Sequence, residues 1–265
     1  MRKKNEIGKI ILVSLVHNRK SLVEQALQSA ANQTLLKDKW RYLILDNAST
    51  DGADKVCDEF SKKYPNIHFV RMSRNLGQMP AYNWILNEWI PNKCRDAEIM
   101  VHLDSDDLLA DCALHEVSKK FSTNKSIGQI YSDFSIISSG GGIKVEKHPK
   151  AKRVNPEIEL TEQGQKILRK MELKLNVIGH IRAMRISALN DIGGFDESYK
   201  YSTDTNMSCR MLSSKYKVAK IPKVLYFWRE HGKQQIQGSN AKDQIKCLQK
   251  IIIKYKRKWK AAGLI

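Results

Sequence analysis

Short apolar runs alternate with amphipathic segments through the first 110 residues, and this alternation constrains the fold more than any other feature of the sequence. The apolar runs, rich in Ile, Leu and Val, cover residues 9–16, 40–45, 67–70 and 97–103. The segments between them have apolar residues at helical spacing and cover residues 19–33, 49–64 and 76–90. Strands that alternate with helices form parallel βαβ units, so we expect an α/β fold with a Rossmann-like, doubly wound, mostly parallel sheet flanked by helices.

The second half of the chain is less regular. Its β-rich stretches predict extended segments at residues 127–137, 142–148, 177–186 and 218–228. Helical spacing predicts helices at residues 157–171, 204–213 and 244–260, of which the last is amphipathic and strongly basic. Residues 149–155 predict a basic loop.

Length and composition bound the class of protein. The 265 residues are 42% hydrophobic and 28% charged, which suits one large α/β domain with its own core. The sequence has no run of about 18 apolar residues, so we expect no membrane-spanning helix, and the run at 10–16 is too short for a signal peptide. An odd number of cysteines, five, without a CxxC pair favours a reducing, cytoplasmic location.

The positive charge is concentrated in the second half of the chain. The net charge is +18, and residues 111–265 contribute +16 of it, with 30 basic against 14 acidic residues. Such a field favours an anionic partner, which leaves three classes open: a membrane surface, a nucleic acid or an acidic acceptor. A lysine-rich but merely solvated surface accounts for the charge equally well.

Three carboxylates follow the fourth predicted strand within four residues, at Asp104, Asp106 and Asp107. Carboxylates this close repel one another unless a cation or hydrogen-bond donors compensate. Oxygen ligands of this kind suit Mg²⁺ or Mn²⁺, either of which can hold a diphosphate at the same time. Acidic capping of a helix N-terminus explains the same residues without a metal.

The sequence lacks the glycine-containing turn motifs of several other enzyme classes, and their absence excludes those classes. The first strand–helix turn, residues 17–21, contains no glycine, whereas dinucleotide-binding folds, P-loops and sugar nucleotidyltransferases need a glycine-rich loop there. The sequence has no GxSxG motif, which a serine nucleophile on an α/β sheet would require.

Polar motifs follow the predicted strands in order. They are Ser14–Arg19, Leu45–Gly52, Arg74–Gly77 with Asn83, and His102–Asp107. Together these motifs resemble those of the family 2 glycosyltransferases, which have the GT-A fold. In the second half the resemblance continues at Ile192–Glu197, Thr203–Asp204 and Arg229–His231.

The resemblance implies a metal-dependent, inverting glycosyltransferase. Such an enzyme moves a sugar from a nucleoside-diphosphate sugar, with UDP as the default nucleotide, to an acceptor hydroxyl in surface glycan or polysaccharide assembly. The implied cofactor is Mn²⁺ or Mg²⁺, and a DXD motif holds it. The implied organisation is a GT-A domain over residues 1–235, with a nucleotide-sugar-binding half at 1–110, an acceptor-binding half at 111–235 and a basic amphipathic C-terminal helix at 236–265.

The same resemblance assigns roles to individual residues. It implies that Asp46 binds the nucleobase, that Asp104 binds the ribose or the water shell of the metal, and that Asp106 binds the metal with support from Asp107. His231 is implied as a further metal ligand or a contact to the diphosphate. The remaining residues implied to bind the nucleotide sugar are Ser14, Val16, Asn18, Arg19, Asn47, Ser49, Arg74, Asn75, Gly77, Asn83 and Ser105.

Asp204 matches the position that the family uses as general base, so the resemblance implies that it deprotonates the acceptor hydroxyl. Capping of the helix that follows is a structural reason for the same residue. The sequence departs from the family pattern at Thr203, where Glu is usual, which puts the acceptor contacts in question.

Two alternatives concern the partner. A glycosyltransferase that acts on a modified DNA base would also explain the basic second half, and would need a flipped base or a single strand. A protein of another class, a non-catalytic module that binds nucleic acid or a membrane, is favoured by aromatic residues between basic ones in residues 254–260. Within the enzyme reading, a cytoplasmic protein held at the inner face of the membrane is expected, because anionic lipid attracts basic residues.

Overall fold

One mixed sheet organises the fold, in a computed structural model that describes residues 8–146, 148, 155, 157–231 and 241–265. Nine strands are found in the described part of the chain. They are β1 (Lys9–Val16), β2 (Trp40–Asp46), β3 (Ile67–Arg71), β4 (Ala97–His102), β5 (Leu108–Leu109), β6 (Ile127–Ile137), β7 (Ile143–Val145), β8 (Ala183–Arg185) and β9 (Lys217–Arg229).

Helices flank both faces of this sheet. They are α1 (Lys20–Ala31), α2 (Ala53–Ser61), α3 (Gln78–Trp84), α4 (Ile90–Lys93), α5 (Ala113–Thr123), α6 (Glu162–Leu175), α7 (Ile186–Asp191), α8 (Thr203–Leu212) and α9 (Ala241–Ala261). A short 3₁₀ turn covers Lys37–Lys39, and a π-helical turn at Ile85–Trp89 joins α3 to α4.

The strands lie in the order β3-β2-β1-β4-β8-β6-β9-β5, and β7 pairs with β6. The first four strands along this order are parallel, which confirms the doubly wound arrangement predicted for the first half of the chain. The short β8 is antiparallel to both β4 and β6, and β6 is parallel to β9. The strands β5 and β7 are antiparallel to β9 and β6, so six of the nine strands described run in one direction and β5, β7 and β8 run against them.

The central strands are apolar on both faces because helices cover both. In β1, Ile10 and Leu12 face a cluster with α1 and α2, whereas Ile11 and Val13 face α3 and the π-helical turn. Side chains alternate between the two faces of a strand, so a strand covered on both sides reads as a continuous apolar run. This is why the sequence of β1 has almost no polar residue.

The second half departs from its sequence prediction in three places. The strand expected at 142–148 covers only Ile143–Val145, and most of the expected basic loop at 149–155 lies outside the described residues. The helix expected from residue 157 begins at Glu162, because the Thr161 side chain accepts a hydrogen bond from the Gly164 N–H and caps it there. Of the extended segment expected at 177–186, only Ala183–Arg185 pairs as a strand, and α7 follows directly.

The basic C-terminal helix α9 packs on the rest of the protein. Ile251, Tyr255 and Trp259 lie one turn apart on one face and are buried against a cluster that includes residues of α6 and α8. The opposite face is exposed and carries lysines, among them Lys246, Lys256 and Lys260. Within the described part of the chain, no helix has both the length and the apolar character that crossing a membrane requires.

Candidate active site

The carboxyl ends of β1, β2 and β4 meet at one edge of the sheet. The N–H of Asn47, just after β2, donates to the Val16 carbonyl at 2.7 Å, and the N–H of Leu103, just after β4, donates to the Val13 carbonyl at 2.9 Å. In open parallel sheets, ligands bind beyond this edge. The loops after these strands therefore form the candidate site.

The loops after β1 and β2 are joined through Asn18. Its backbone has φ +53°, a left-handed conformation, and its N–H donates to the Ser49 hydroxyl at 3.0 Å. The Asn18 side-chain oxygen accepts from the Thr50 N–H at 2.8 Å. These contacts place Asn18 and Ser49, two predicted site residues, side by side.

Asp46 ends β2 with a fully buried carboxylate. It accepts a hydrogen bond from the Ser49 N–H at 3.1 Å, and the Nε of Arg71 lies 3.5 Å from it. Arg71 also donates to the Ser49 carbonyl at 3.0 Å. The sequence analysis missed Arg71, although β2 and β3 pair with Arg71 directly opposite Asp46.

Asn47 connects the loop after β2 to the loop after β3. Its side-chain N–H donates to Oδ1 of Asn75 at 2.9 Å, and its own Oδ1 accepts from the Leu76 N–H at 2.9 Å. The N–H of Gly77, which has φ +83°, donates to the same Asn75 oxygen at 2.8 Å. The structure thus brings Asn47, Asn75 and Gly77 together, whereas Arg74 is exposed beside them.

Three residues predicted to bind the nucleotide sugar have roles within the fold itself. The Ser14 hydroxyl is buried and donates to the Leu103 carbonyl at 2.7 Å, which ties β1 to the end of β4. Val16 is buried in the core. The Asn83 amide donates to the Phe195 carbonyl at 2.9 Å and accepts from the Phe195 N–H at 2.7 Å, so it holds the turn after α7.

The acid loop, defined as residues 104–107, follows β4. Asp107 is buried: its Oδ1 accepts from the Arg229 N–H at 2.7 Å and its Oδ2 from the Tyr226 hydroxyl at 2.8 Å. Burial, together with the neighbouring carboxylates of Asp104 and Asp106, raises the pKa of Asp107 well above its usual range. Ser105, between the aspartates, is also buried.

Arg182 binds the first carboxylate of this loop. Its guanidinium pairs with Oδ2 of Asp104. Burial opposes ionisation of Asp104, but Arg182 outweighs it and holds the pKa of Asp104 below its usual value. The sequence analysis missed Arg182, which precedes the short strand β8 and reaches the loop because β8 pairs with β4.

Two histidines beside Arg182 are uncharged. Burial, and next the positive charge of Arg182, lowers the pKa values of His102 and His180 to about 3. His102 stacks on Tyr82, and His180 stacks on Tyr226 with ring centroids 4.5 Å apart. The Nδ1 of His180 is buried without a hydrogen-bond partner.

Asp106 is the residue of the acid loop that meets His231. Its Oδ2 lies 3.0 Å from Nε2 of His231 and accepts from Nε of Arg19 at 3.2 Å. Its side chain keeps 19% of its surface accessible, so the carboxylate has an imidazole neighbour and access to solvent. The structure therefore brings three predicted site residues together at this point.

The donor set around the acid loop fits a hard divalent cation. Ligand atoms of Asp104, Asp107 and His180 lie within 4.8 Å of one another, and Asp106 with His231 forms a second carboxylate–imidazole pair on the same loop. Three carboxylates thus lie on one short loop, and two arginines, Arg182 and Arg19, contact Asp104 and Asp106. Carboxylate oxygens and a neutral imidazole are ligands that Mn²⁺ and Mg²⁺ accept.

Asp204 lies in the first turn of α8, after Ser202, whose φ is +53°. It lines a cleft at the carboxyl end of β4. The residues lining this cleft include Asp204, Thr203, Arg182, His102, Gln129 and Tyr82. Because Arg182 also binds Asp104, the cleft connects the predicted base to the acid loop. Thr203 donates from its hydroxyl to Gln78 at 3.4 Å.

Comparison with known sequences identifies a family. The sequence model of "Glycosyl transferase family 2" matches residues 12–193. A poly(ribitol-phosphate) beta-glucosyltransferase of Bacillus spizizenii is 28% identical over 190 residues, which is 66% of this chain and 28% of that protein. The minor teichoic acid biosynthesis protein GgaA of Bacillus subtilis is 21% identical over 230 residues, 83% of this chain and 46% of that protein. The chain thus spans less than half the length of these two relatives.

Solved structures share the fold. The complex of S. aureus TarS 1–349 with UDP-GlcNAc matches with a TM-score of 0.68 at 17% identity, covering 93% of this chain and 66% of that chain. The mannosyltransferase PcManGT from Pyrobaculum calidifontis, in complex with GDP-Man and Mn²⁺, matches with a TM-score of 0.64 at 20% identity, covering 95% of this chain and 65% of that chain. The expected GT-A architecture is therefore confirmed.

Proposed function

Because the chain belongs to glycosyl transferase family 2, we propose that it moves a sugar from a nucleoside-diphosphate sugar to a hydroxyl of an anionic surface-polymer acceptor. The observation that carries this proposal is the cleft that Asp204 and Arg182 both line. Arg182 binds Asp104 of the acid loop, so the cleft joins a carboxylate suited to deprotonate an acceptor to a loop suited to hold a diphosphate.

The donor lies, in this proposal, across the carboxyl ends of β1, β2 and β4. Asp46 is a buried acceptor for a nucleobase N–H, and the joined loops of Asn18, Ser49 and Asn47 surround it. Nε of Arg71 lies 3.5 Å from Oδ2 of Asp46 and helps to hold this carboxylate in place. UDP stays the default nucleotide, because the TarS structure of this fold contains UDP-GlcNAc, although PcManGT contains GDP-Man.

We assign a divalent cation, Mn²⁺ or Mg²⁺, to Asp106 and His231. Both oxygens of Asp107 already accept hydrogen bonds, and Asp104 is paired with Arg182, so these two carboxylates have partners within the protein. Asp106 and His231 are directed at each other, with Nε2 of His231 3.0 Å from Oδ2 of Asp106. When bound there, the ion supplies positive charge that stabilises a departing diphosphate.

The proposed reaction is a single displacement with inversion. Asp204 accepts the proton of the acceptor hydroxyl as its oxygen forms a bond to the anomeric carbon. The bond from that carbon to the phosphate oxygen breaks at the same time, and the nucleoside diphosphate leaves with the electron pair. Arg182 lines the same cleft as Asp204, and its guanidinium stabilises the negative charge that develops on the leaving diphosphate. Proton transfer to a positioned base of this kind contributes about 10²–10⁴-fold to the rate.

An anionic acceptor is supported by charge and by the relatives. Residues 111–265, which contain Asp204, carry a net charge of +16. One relative is named for poly(ribitol-phosphate) and another for minor teichoic acid biosynthesis. A polymer with phosphate in each repeat complements this charge. We place the reaction in the cytoplasm, which the five free thiols support.

A transfer assay tests the proposal. The full chain is incubated with UDP- or GDP-linked sugars, Mn²⁺, and either poly(ribitol phosphate) or hydroxymethylated DNA, and the released nucleoside diphosphate and labelled acceptor are measured. We expect nucleoside diphosphate release and labelling of the phosphate polymer. Labelling of the DNA alone would move the acceptor to nucleic acid. No release from any sugar nucleotide would contradict the proposal and favour a binding module.

A further inference from the structure

The C-terminal helix α9 lies directly against the loop that leads to Asp204. The Cys247 thiol donates to the Tyr201 carbonyl at 3.0 Å, and Nζ of Lys254 lies 5.4 Å from the centroid of the Tyr199 ring. Two residues beyond Asp204, the Asn206 oxygen accepts from the Tyr255 hydroxyl at 3.2 Å. One face of α9 thus packs on the loop that precedes Asp204 and on the first turns of α8.

The side of α9 that faces this loop carries a row of positive charges. Nζ of Lys254 and of Lys258 lie 5.4 Å and 6.0 Å from the Tyr255 ring centroid, so both lysines flank the same tyrosine. From the loop side, Nζ of Lys200 lies 5.5 Å from the Tyr201 ring. We call Lys200, Lys254 and Lys258 the loop-facing lysines.

The acidic residues nearby leave these charges uncompensated. The Asp196 carboxylate is bound by Ser198 and Asn206, and Glu197 accepts from Asn83. Asp243 lies in the first turn of α9, three turns away from Lys254. Among the residues that the structure describes, no ion pair joins an acidic side chain to a loop-facing lysine.

We propose that the loop-facing lysines bind successive phosphates of the acceptor polymer and so lead one of its hydroxyls to Asp204. This inference rests on the proposed transferase function and adds the acceptor-binding surface to it. Lys254 and Lys258 are four residues apart, about 6 Å along the helix axis, so their charges repeat in the direction of the helix. A repeating phosphate chain is the ligand that such a row complements.

A bilayer surface fits these lysines less well than a polymer. They lie at the seam between α9 and the 199–202 loop, beside three tyrosines, whereas a flat membrane would contact the outermost face of the helix. That outer face has its own exposed residues, among them Lys246, Ile253, Lys256 and Lys260. The two surfaces can therefore be separated by mutation.

The test compares two triple variants with equal charge removal from the same region. One has Lys200→Gln, Lys254→Gln and Lys258→Gln; the matched control has Lys246→Gln, Lys256→Gln and Lys260→Gln. Binding of a fluorescent poly(ribitol phosphate) oligomer is measured by anisotropy at several salt concentrations. Co-sedimentation with phosphatidylglycerol vesicles is measured in parallel, and thermal unfolding shows whether each variant is folded.

We expect the loop-facing variant to bind the oligomer at least about tenfold more weakly, with a shallower salt dependence because fewer counterions are released. The control variant is expected to bind within about threefold of the wild type. Equal weakening in both variants would overturn the proposal in favour of unspecific charge. Loss of vesicle binding alone in the loop-facing variant would overturn it in favour of a membrane. Wild-type nucleoside diphosphate release, scored separately, shows whether the transferase function itself holds.

Discussion

Nε2 of His231 lies 3.0 Å from Oδ2 of Asp106, although 125 residues separate them in the sequence. β9 pairs with β5, the strand that follows the acid loop, and this pairing brings the end of β9 to the loop. It brings the Arg229 N–H to Oδ1 of Asp107 as well. The end of β9 therefore lies over the acid loop, and the side chain of His231, two residues after β9 ends, contacts the loop. This carboxylate–imidazole pair is where we expect the metal to bind.

The first prediction concerns the metal. His231→Ala is expected to remove most of the increase in melting temperature that Mn²⁺ produces in the presence of UDP, because a ligand that binds only the native state stabilises it by mass action. Thermal unfolding with and without Mn²⁺ measures this increase. His115→Ala, at an exposed position on α5, is the control and should keep it. If Mn²⁺ still raises the melting temperature of His231→Ala by the wild-type amount, the ion is assigned instead to Asp104, Asp107 and His180.

The second prediction concerns the base. Asp204→Asn is expected to fold and to bind the donor like the wild type, while the rate of transfer falls by about 10²–10⁴-fold, because the amide cannot accept the acceptor proton. Initial rates of acceptor labelling measure the loss. Asp111→Asn, at an exposed position, serves as the matched control. Near-normal turnover in Asp204→Asn would refute the assignment.

The third prediction concerns pH. Glu172 is buried, and burial raises its pKa from 4.5 to about 8. The hydrogen bond that Glu172 accepts from the Ile178 N–H acts in the opposite direction but is the smaller effect. Between these values the unfolded chain releases a proton that the folded protein keeps, so the contribution of Glu172 to stability falls as pH rises from about 4.5 to about 8. A displacement of this size corresponds to at most about 5 kcal/mol.

Glu172→Gln should remove this dependence, since Gln can accept the Ile178 hydrogen bond without ionising. Urea unfolding at pH 5 and pH 8 should show a wild-type protein that loses stability between the two values and a variant that loses less. A parallel pH dependence in both proteins would show that Glu172 keeps its ordinary pKa.

The fourth prediction concerns α9. Trp259 is fully buried and donates from its indole N–H to the Ser213 hydroxyl at 2.7 Å. Trp259→Ala should therefore destabilise the whole protein by about 3–5 kcal/mol. Ile253→Ala, at a half-exposed position of the same helix, should change stability little.

We propose from this packing that α9 unfolds together with the transferase domain over 1–235, although it follows that domain in the chain. Circular dichroism and tryptophan fluorescence should then give one coincident transition. Two separate transitions would instead make the region from residue 236 an independent unit.

Local patterns in the sequence predicted the first half of the fold well. The apolar runs of β1 to β4 match the predicted strands to within a residue at each end, because strands covered on both faces need continuous apolar sequence. The prediction was weaker in the second half. There β8 has only three residues, and its place depends on antiparallel partners on both sides rather than on its own sequence.

The sequence by itself determined that Asp46 and the acid loop would follow strands of a parallel sheet, since strand–helix alternation dictates where strands end. Only the tertiary structure decided that Arg71 meets Asp46 and that Arg182 meets Asp104, and it placed His231, which the family resemblance had implied as a metal ligand, at Asp106. Arg71 lies opposite Asp46 because β3 pairs with β2, whereas Arg182 and His231 reach the acid loop because β8 and β9 enter the sheet out of chain order, beside β4 and β5. Such pairing depends on the packing of the whole chain, and no local spacing records it.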